Sequence, residues 1–443
     1  MDEDPVGREL LQYRQALTNT VRSCRAADYD RHVRKIEALP TIIARGSDDN
    51  NMIEPIVRKS VICVLKNGLS SKFTVLFRHL AACPFTTPRR HDDGGARQPI
   101  CTCFQHRLFL VRLASCSPPL MGKPLKIGKL EIASRVLVAP MSGVTDLPFR
   151  RVLQRFEPGY VVSEMVAGKE LAKGDATTEL RAAGAGDINP LVIQLVGNEA
   201  EWMREGAAKA EQLGADIIDI NMGCPARKVV TGLAGSALMK DLDHAHSLID
   251  AVLEGTSKPV TIKMRLGWDN TMLNAPELAK RAARSGVAAI FVHGRTRQQF
   301  YEGMADWKAV RPVVNSVDIP VIVNGDISDA QSARNALEQS DADAVMVGRA
   351  LVGQPWLLSE IKTALDEDTP AEPARADLVA THYRDMLSHY GERQGLRVAR
   401  KHVQAYLQGA GWPGDRVKEA LQANDPSCVL DLLMDAYRLD RAA

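Results

Sequence analysis

Cys224, set between glycine and proline in DINMGCPARKVVTGLAGSALM, is poorly suited to core packing and well suited to chemistry. An unperturbed thiol has a pKa of about 8.5, so near neutrality it is mostly protonated and can serve as a general acid. No histidine–aspartate pair is evident from the spacing, which argues against a nucleophilic hydrolase. A buried, inert thiol is the alternative. The rest of its loop, with Gly232 and Gly235 before Met239, is expected to move over a site. Around this cysteine, short apolar runs keep ending in polar residues that a core strand does not need. The third run delivers Gln194, the fourth runs into Asn221 and Cys224, and the fifth carries Lys263 and Arg265. The sixth ends at His293 and Arg295, the seventh at Asn324 and Asp326, the eighth at Gly348 and Arg349. Singly, these are turn formers or snorkelling side chains. Together they describe one polar rim. Lys263, His293 and Arg349 are donors suited to an anionic, heteroaromatic cofactor. Flavin mononucleotide has one phosphate and a pyrimidine edge that turns anionic on reduction, where a cationic Lys263 would stabilise the reduced form. Gly325 and Gly348 leave room for backbone to approach a bound group.

The runs themselves are VLVAP (136–140), YVVSE (160–164), LVIQL (191–195), DIIDI (216–220), VTIKM (260–264), AIFVH (289–293), VIVNG (321–325) and AVMVG (344–348). Most are separated by stretches with helical spacing, such as 199–214 and 274–286, which end at Gly214 and Gly286 where a left-handed cap is expected. Eight buried strands alternating with helices predict an all-parallel sheet closed into a (β/α)8 TIM barrel, an α/β fold, within residues 121–365. An open doubly wound sheet is the alternative. It would want a glycine-rich turn after the first strand, and PMSGVTD is not G-x-G-x-x-G. Beyond about Leu357 the strands stop. Residues 366–443 read as a small C-terminal helical domain, with breaks at Gly391, Gly395, Gly409 to Gly414 and Pro426.

Charge and cysteine divide the chain differently. Residues 1–120 hold 18 Lys+Arg against 12 Asp+Glu, net +6, whereas the other 323 hold 38 against 42, net −4. Six of the eight cysteines fall in the first part. Two in the remainder make no disulfide framework, which fits a reducing compartment. No apolar run approaches the length of about 18 residues that spans a membrane, and MDEDPVGREL is acidic where a secretory signal is basic and then apolar. The expected location is the cytoplasm, with no membrane and no obligate protein partner. Residues 1–120 lack a sustained period beyond the runs Val61 to Leu65 and Leu108 to Leu113, and are expected to be largely irregular. Cys101-Thr-Cys103 with Cys116 lacks a paired C-x2-C knuckle, so unrelated thiols are expected rather than a metal site. The abrupt change at MGKPLKIGKLEIASRVLVAP also fits a natural start at Met121.

APMSGVTDLPFR, VSEMVAGKEL, VIQLVGN, INMGCPARKV, GSALM, IKMRLGW, FVHGRTR, VNGDI and VMVGRA follow in order along 139–350. The set resembles the tRNA-dihydrouridine synthases, most nearly their bacterial B-type branch, from about Met121 onward. The resemblance implies a flavin enzyme that reduces selected uridines of tRNA, expected in the D-loop, to 5,6-dihydrouridine with NADPH as reductant. Carried over by motif, Pro140, Met141 and Ser142 contact FMN through backbone, and Gln194, Lys263 and His293 match flavin-binding positions. Asn324, Gly325, Asp326, Gly348 and Arg349 surround the ribityl phosphate. Cys224 matches the proton donor to carbon 5, opposite a hydride delivered to carbon 6. Asn221 matches the residue that holds the uracil, and Arg265 and Arg295 are assigned to the RNA with it. A stacked base cannot reach a recessed ring, so the uridine must be extruded at a cost of about a few kcal/mol.

An RNA surface needs a local basic patch rather than a global excess. RQGLRVARKHVQAYLQG supplies one, with Arg393, Arg397, Arg400 and Lys401 on one helical face and no acid from 393 to 414. It also resembles the family's helical tRNA-binding domain. Arg181, Arg227 and Lys228 would extend the surface from the rim. Two rival readings stand beside this one: a dihydroorotate- or dihydropyrimidine-type flavin oxidoreductase, which needs no basic helix, and a non-catalytic tRNA-binding protein.

Overall fold

The computed structural model describes residues 60–63, 75–78 and 125–438, and the chain divides into two compact units, 1–118 and 119–443. In the first unit Ser60–Cys63 (β1) pairs antiparallel with Val75–Arg78 (β2). The expectations for Cys101, Cys103 and Cys116, for a start at Met121 and for the rest of 1–120 lie outside the described residues.

The second unit opens with a hairpin, Leu125–Ile127 (β3) and Leu130–Ile132 (β4). Eight parallel strands follow: Val136–Val138 (β5), Val161–Ala167 (β6), Leu191–Val196 (β7) and Ile217–Met222 (β8). Then come Val260–Arg265 (β9), Ala289–His293 (β10), Val321–Asn324 (β11) and Ala344–Val347 (β12). Each falls on one of the eight apolar runs, and they pair in chain order until β12 meets β5 and closes the barrel. Such strands read as continuous apolar runs because helices cover one face and the barrel interior fills the other. Ile193, Leu195, Ile218 and Ile220 face the helices, while Val192, Ile217, Phe291, Ile322 and Met346 fill the interior. Leu125, Ile127 and Ile132 join the inner cluster. They floor the barrel at the strands' N-terminal end, where the Gly128 turn packs on Pro259.

Nearer the strands' C-terminal ends the inward positions turn polar. Gln194 stands opposite Asp219, Asp219 opposite Thr261, Asn221 opposite Lys263, and His293 opposite Asn324. A period of two therefore carries each strand from an apolar base to a polar rim.

Helices Ala200–Gln212 and Ala275–Ser285 end as expected, with φ of +92° at Gly214 and +106° at Gly286. After the barrel come Arg375–Tyr390, Glu392–Gly409, Gly414–Gln422 and Pro426–Arg438. Gly391 separates the first two, as expected, but Gly395 is no break. It lies inside Glu392–Gly409, where a Cβ would come within 2.8 Å of Leu387 Cα and 2.9 Å of Met386 O. The glycine is there to let two helices approach closely. Barrel and helices share the second unit. Phe149, on the barrel helix Leu147–Gln154, stacks on His382 and packs on His402, with ring centroids 5.3 and 4.9 Å apart.

Candidate active site

Gln194, Asn221, Lys263, His293 and Asn324 meet at the polar rim. Lys263 Nζ donates to Asn324 Oδ1 (2.8 Å), whose Nδ2 donates to the Met346 carbonyl (2.7 Å). Burial, and after it the Arg265 charge, hold the Lys263 ammonium down to about 8, against the pull of Asp219 and Cys224. His293 is held well below its ordinary range by burial and then by Lys263, Arg265, Arg295 and Arg349, so its ring is neutral. Arg295 Nη1 lies 3.2 Å from His293 Nε2. A guanidinium can only donate, so Nε2 accepts and the proton sits on Nδ1. The ring rests against Gly325, φ +116°, where a Cβ would come within 2.8 Å of Ala305 Cβ and 3.0 Å of the imidazole.

Cys224 is a free, half-buried thiol on the loop that leaves β8. Burial raises its pKa over the opposing effects of the Ala226 amide, Arg265 and Lys263, so at neutral pH it carries its proton. Its loop, expected to move, is tied down at the base. Arg265 Nε donates to Gly223 O (2.8 Å), and Ser236 donates to Cys224 O through both its amide (3.1 Å) and its hydroxyl (2.9 Å). Asn274 Nδ2 holds Met239 O (2.7 Å) at the far end. What protrudes is the tip: a short helix, Arg227–Thr231, without a buried residue, followed by Leu233 at 66% exposure. Arg227 and Lys228 are exposed on it, as is Arg181 on the helix Ala176–Ala182.

Three residues expected to touch RNA are committed elsewhere. Asn221 Oδ1 accepts from the amides of Gly223 (3.2 Å) and Cys224 (2.9 Å), while Nδ2 donates to Gln194 Oε1 (2.7 Å) and approaches Met165 Sδ (3.8 Å). Its amide is engaged within the rim and braces the cysteine's loop. Arg265 and Arg295 are 1% and 2% exposed. Arg265 binds the carbonyls of Gly223, Thr296 and Phe300, and Arg295 those of Glu302 and Gly303 together with the Asp326 carboxylate. They are struts between loops, not open cations. Asp326 accepts from Arg295, from the Ala305 amide (2.8 Å) and from Arg349 Nη2 (3.4 Å). Its carboxylate thus aims Arg349, which stays 62% exposed and flanks the Tyr301 ring (5.0 Å). Gly348 leads directly into the turn Arg349–Leu351.

In the first loop the Met141 amide is taken by Thr145 Oγ1 (3.0 Å), leaving Pro140 half-buried and Ser142 exposed. The Gly143 amide donates to Glu164. A deep cation at Lys263, an exposed one at Arg349, and neutral donors on Gln194 and His293 form a set that fits a planar anionic group bearing a phosphate.

Of the basic stretch, Arg393, Arg397 and Arg400 are exposed on Glu392–Gly409, and none has an ion-pair partner among the described residues. Lys401 departs from that stripe. It is half-buried and reaches the first barrel loop, its Nζ 3.6 Å from where a Gly143 Cβ would stand. Tyr390 OH donates to Asp146 Oδ2 (3.0 Å) at the same joint. Asp219, Glu164 and Tyr301 join the site without having been expected from sequence. The signal for Asp219 is its place two residues before Asn221, on the same strand face.

Residues 137–433 match the family described as dihydrouridine synthase. The chain is 48% identical over 326 residues to a probable tRNA-dihydrouridine synthase of Rhodobacter capsulatus, covering 72% of this chain and 99% of that protein. It is 50% identical over 319 residues to a probable tRNA-dihydrouridine synthase of Rhizobium leguminosarum bv. phaseoli, covering 70% and 98%. With tRNA-dihydrouridine synthase B of Pseudomonas aeruginosa the identity is 40% over 313 residues, covering 69% and 94%.

Proposed function

The chain belongs to the dihydrouridine synthase family, and from that premise we propose that it reduces D-loop uridines of tRNA to 5,6-dihydrouridine in the cytoplasm, with NADPH as reductant. The observation that carries the reading is a protonated, half-buried thiol sharing one barrel mouth with Lys263, His293 and Arg349. Flavin mononucleotide, when bound, supplies the hydride that goes to carbon 6 of the uracil. Lys263 and Gln194 would hold its ring, and Arg349, aimed by Asp326, its phosphate. Pro140 and Ser142 offer backbone at the same mouth, where the Met141 backbone is already bonded to Val144 and Thr145, and Asn324, Gly325 and Gly348 shape the wall. His293, being neutral, can donate through Nδ1 without adding charge.

Cys224 gives its proton to carbon 5 as the hydride arrives at carbon 6. The sulfur left behind is an anion, and Arg265 and Lys263 are the charges that favour it. The proton is then regained from solvent. Arg393, Arg397 and Arg400 take RNA phosphates, with Arg181, Arg227 and Lys228 extending the surface, so the net −4 of residues 121–443 is no obstacle.

The test is direct. The purified protein should be yellow, release FMN on denaturation, and with NADPH add two hydrogens per modified uridine to unmodified tRNA, read by fragment mass. Reduction of free dihydropyrimidine precursors at equal rates would favour the small-molecule enzyme. A colourless protein that cannot be reconstituted would favour a tRNA-binding protein without activity.

A further inference from the structure

Asp219 touches no reacting atom in the reaction described above, where its charge acts only on Lys263, yet it is a carboxylate on the inner barrel wall, 2% exposed, one layer below Asn221. An apolar side chain would fill that layer as Ile217 fills the one beneath, without the cost of burying charge. That cost is visible: burial raises its pKa to about 6 in spite of Gln194, Thr261 and Lys263. Its hydrogen bonds suggest what the cost secures. An ionised carboxylate only accepts, so every group touching it has its direction forced. Asp219 Oδ1 accepts from the Thr261 hydroxyl (2.6 Å) and Oδ2 from Gln194 Nε2 (2.6 Å). With its nitrogen turned to Asp219, Gln194 presents its oxygen to Asn221 Nδ2 (2.7 Å). With its own nitrogen so engaged, Asn221 presents its oxygen to the amides of Gly223 (3.2 Å) and Cys224 (2.9 Å). Take away the anion, and the two side-chain amides can turn over as a pair without losing the bond between them. Asn221 would then show an N–H to the Cys224 N–H, and the loop would lose its hold.

We infer that Asp219 is a positioning residue for Cys224, setting the polarity of an Asp219–Gln194–Asn221 relay that pins the cysteine's backbone at the barrel mouth. Its consequence for catalysis rests on the role proposed above for Cys224; the relay itself does not.

The test uses the full-length holoprotein and two variants. Asp219→Asn keeps the shape but lets either end of the side chain face Gln194. Combining it with Gln194→Glu moves the obligate acceptor one link up, where it can accept both from the carboxamide introduced at position 219 and from Asn221, restoring the direction. Amide hydrogen exchange of the peptide containing Cys224 and peptide-resolved alkylation of its thiol by iodoacetamide are the readouts. Asp219→Asn should speed exchange at the Cys224 amide about tenfold, equivalent to about 1.4 kcal/mol, and the double variant should return it toward the wild-type rate. Unchanged exchange and alkylation in Asp219→Asn, or a double variant as loose as the single one, would overturn the inference. If Asp219→Asn alone does not fold, a folded double variant with wild-type exchange supports the relay. Failure of both variants to fold overturns it, because the carboxylate would then serve the barrel and not the loop. Uridine reduction is scored separately. A loosened amide with unimpaired reduction would leave the relay standing and show that its hold on the loop does not limit turnover, while the role of Cys224 is read from Cys224→Ala.

Discussion

An acid of the kind proposed for Cys224 needs to keep its proton until the reaction calls for it, and here burial does the keeping while Arg265 and Lys263 limit how far the pKa climbs. Replacing it with alanine should lower uridine reduction by about 10²- to 10⁴-fold, the usual contribution of a placed acid. Flavin content and NADPH oxidation by a quinone acceptor should stay near wild type. Single-turnover assays on the holoenzyme separate these. Lys263 offers a prediction in stability. Its folded pKa, about 8, lies below the unfolded value near 10.5, so between those values the unfolded chain holds more proton. The Lys263 contribution to stability therefore rises with pH across that window, by at most about 1.4 kcal/mol per unit. Urea unfolding of apo wild type and of apo Lys263→Met at pH 7.5, 8.5 and 9.5 should show the wild type gaining on the variant. A constant difference would mean that the ammonium is not desolvated. Individual residues are only partly legible in the sequence. Lys263 and His293 stand out because a strand ending in charge is unusual. Arg265 and Arg295 read as open cations because sequence displays a charge but not the loop carbonyls that absorb it. Asp219 is hidden inside DIIDI, where the isoleucines on either side dominate the pattern.

Elements are more legible than residues. Parallel strands buried on both faces must be apolar throughout, so VLVAP, LVIQL and their counterparts can be placed without knowing their neighbours. Helix ends at Gly214 and Gly286 follow from the left-handed conformation that glycine admits. Gly395 misleads because the same residue serves two purposes, ending a helix or letting another one in, and only the packing of Leu387 against it decides which. The exposed stripe of Glu392–Gly409 gives the prediction at this scale. Changing Arg393, Arg397 and Arg400 together to alanine should weaken tRNA binding at least tenfold near physiological salt. The slope of log affinity against log salt should shrink by about 2 to 3, roughly one for each phosphate no longer neutralised. Flavin content should not change, since all three are exposed and none bonds to a rim residue among the described residues. An unaltered salt slope would place the RNA elsewhere.

At the scale of the second unit, the joint between barrel and terminal helices is a feature sensitive to acid. His382 and His402 are buried there against Phe149, and neither ring nitrogen of His402 has a partner among the described residues. Burial lowers His382 to about 3 and holds His402 well below its ordinary range. Both are therefore neutral in the fold and protonate readily only on unfolding. Their contribution is fully present above about pH 6.5 and is lost below it, by about 1.4 kcal/mol per unit for each ring. Asp146 works the other way, since burial raises it to about 6, so its contribution falls as pH rises from about 4 to 6. His402→Phe should raise stability at pH 7 by about 1 to 2 kcal/mol, because two unsatisfied nitrogens leave the interior. It should also flatten the fall between pH 6.5 and 4.5 by close to one proton's worth. Urea midpoints across that range read both effects.

The hairpin of Leu125, Ile127 and Ile132 has a kinetic meaning as well as a structural one. Among the described residues it closes the end of the cylinder away from the polar rim, so that the way in is the mouth lined by Lys263, His293 and Cys224. On the activity proposed above, electron donor and nucleic acid would queue for the same opening, each vacating before the other enters, so that either visitor in excess should block the next in steady-state kinetics.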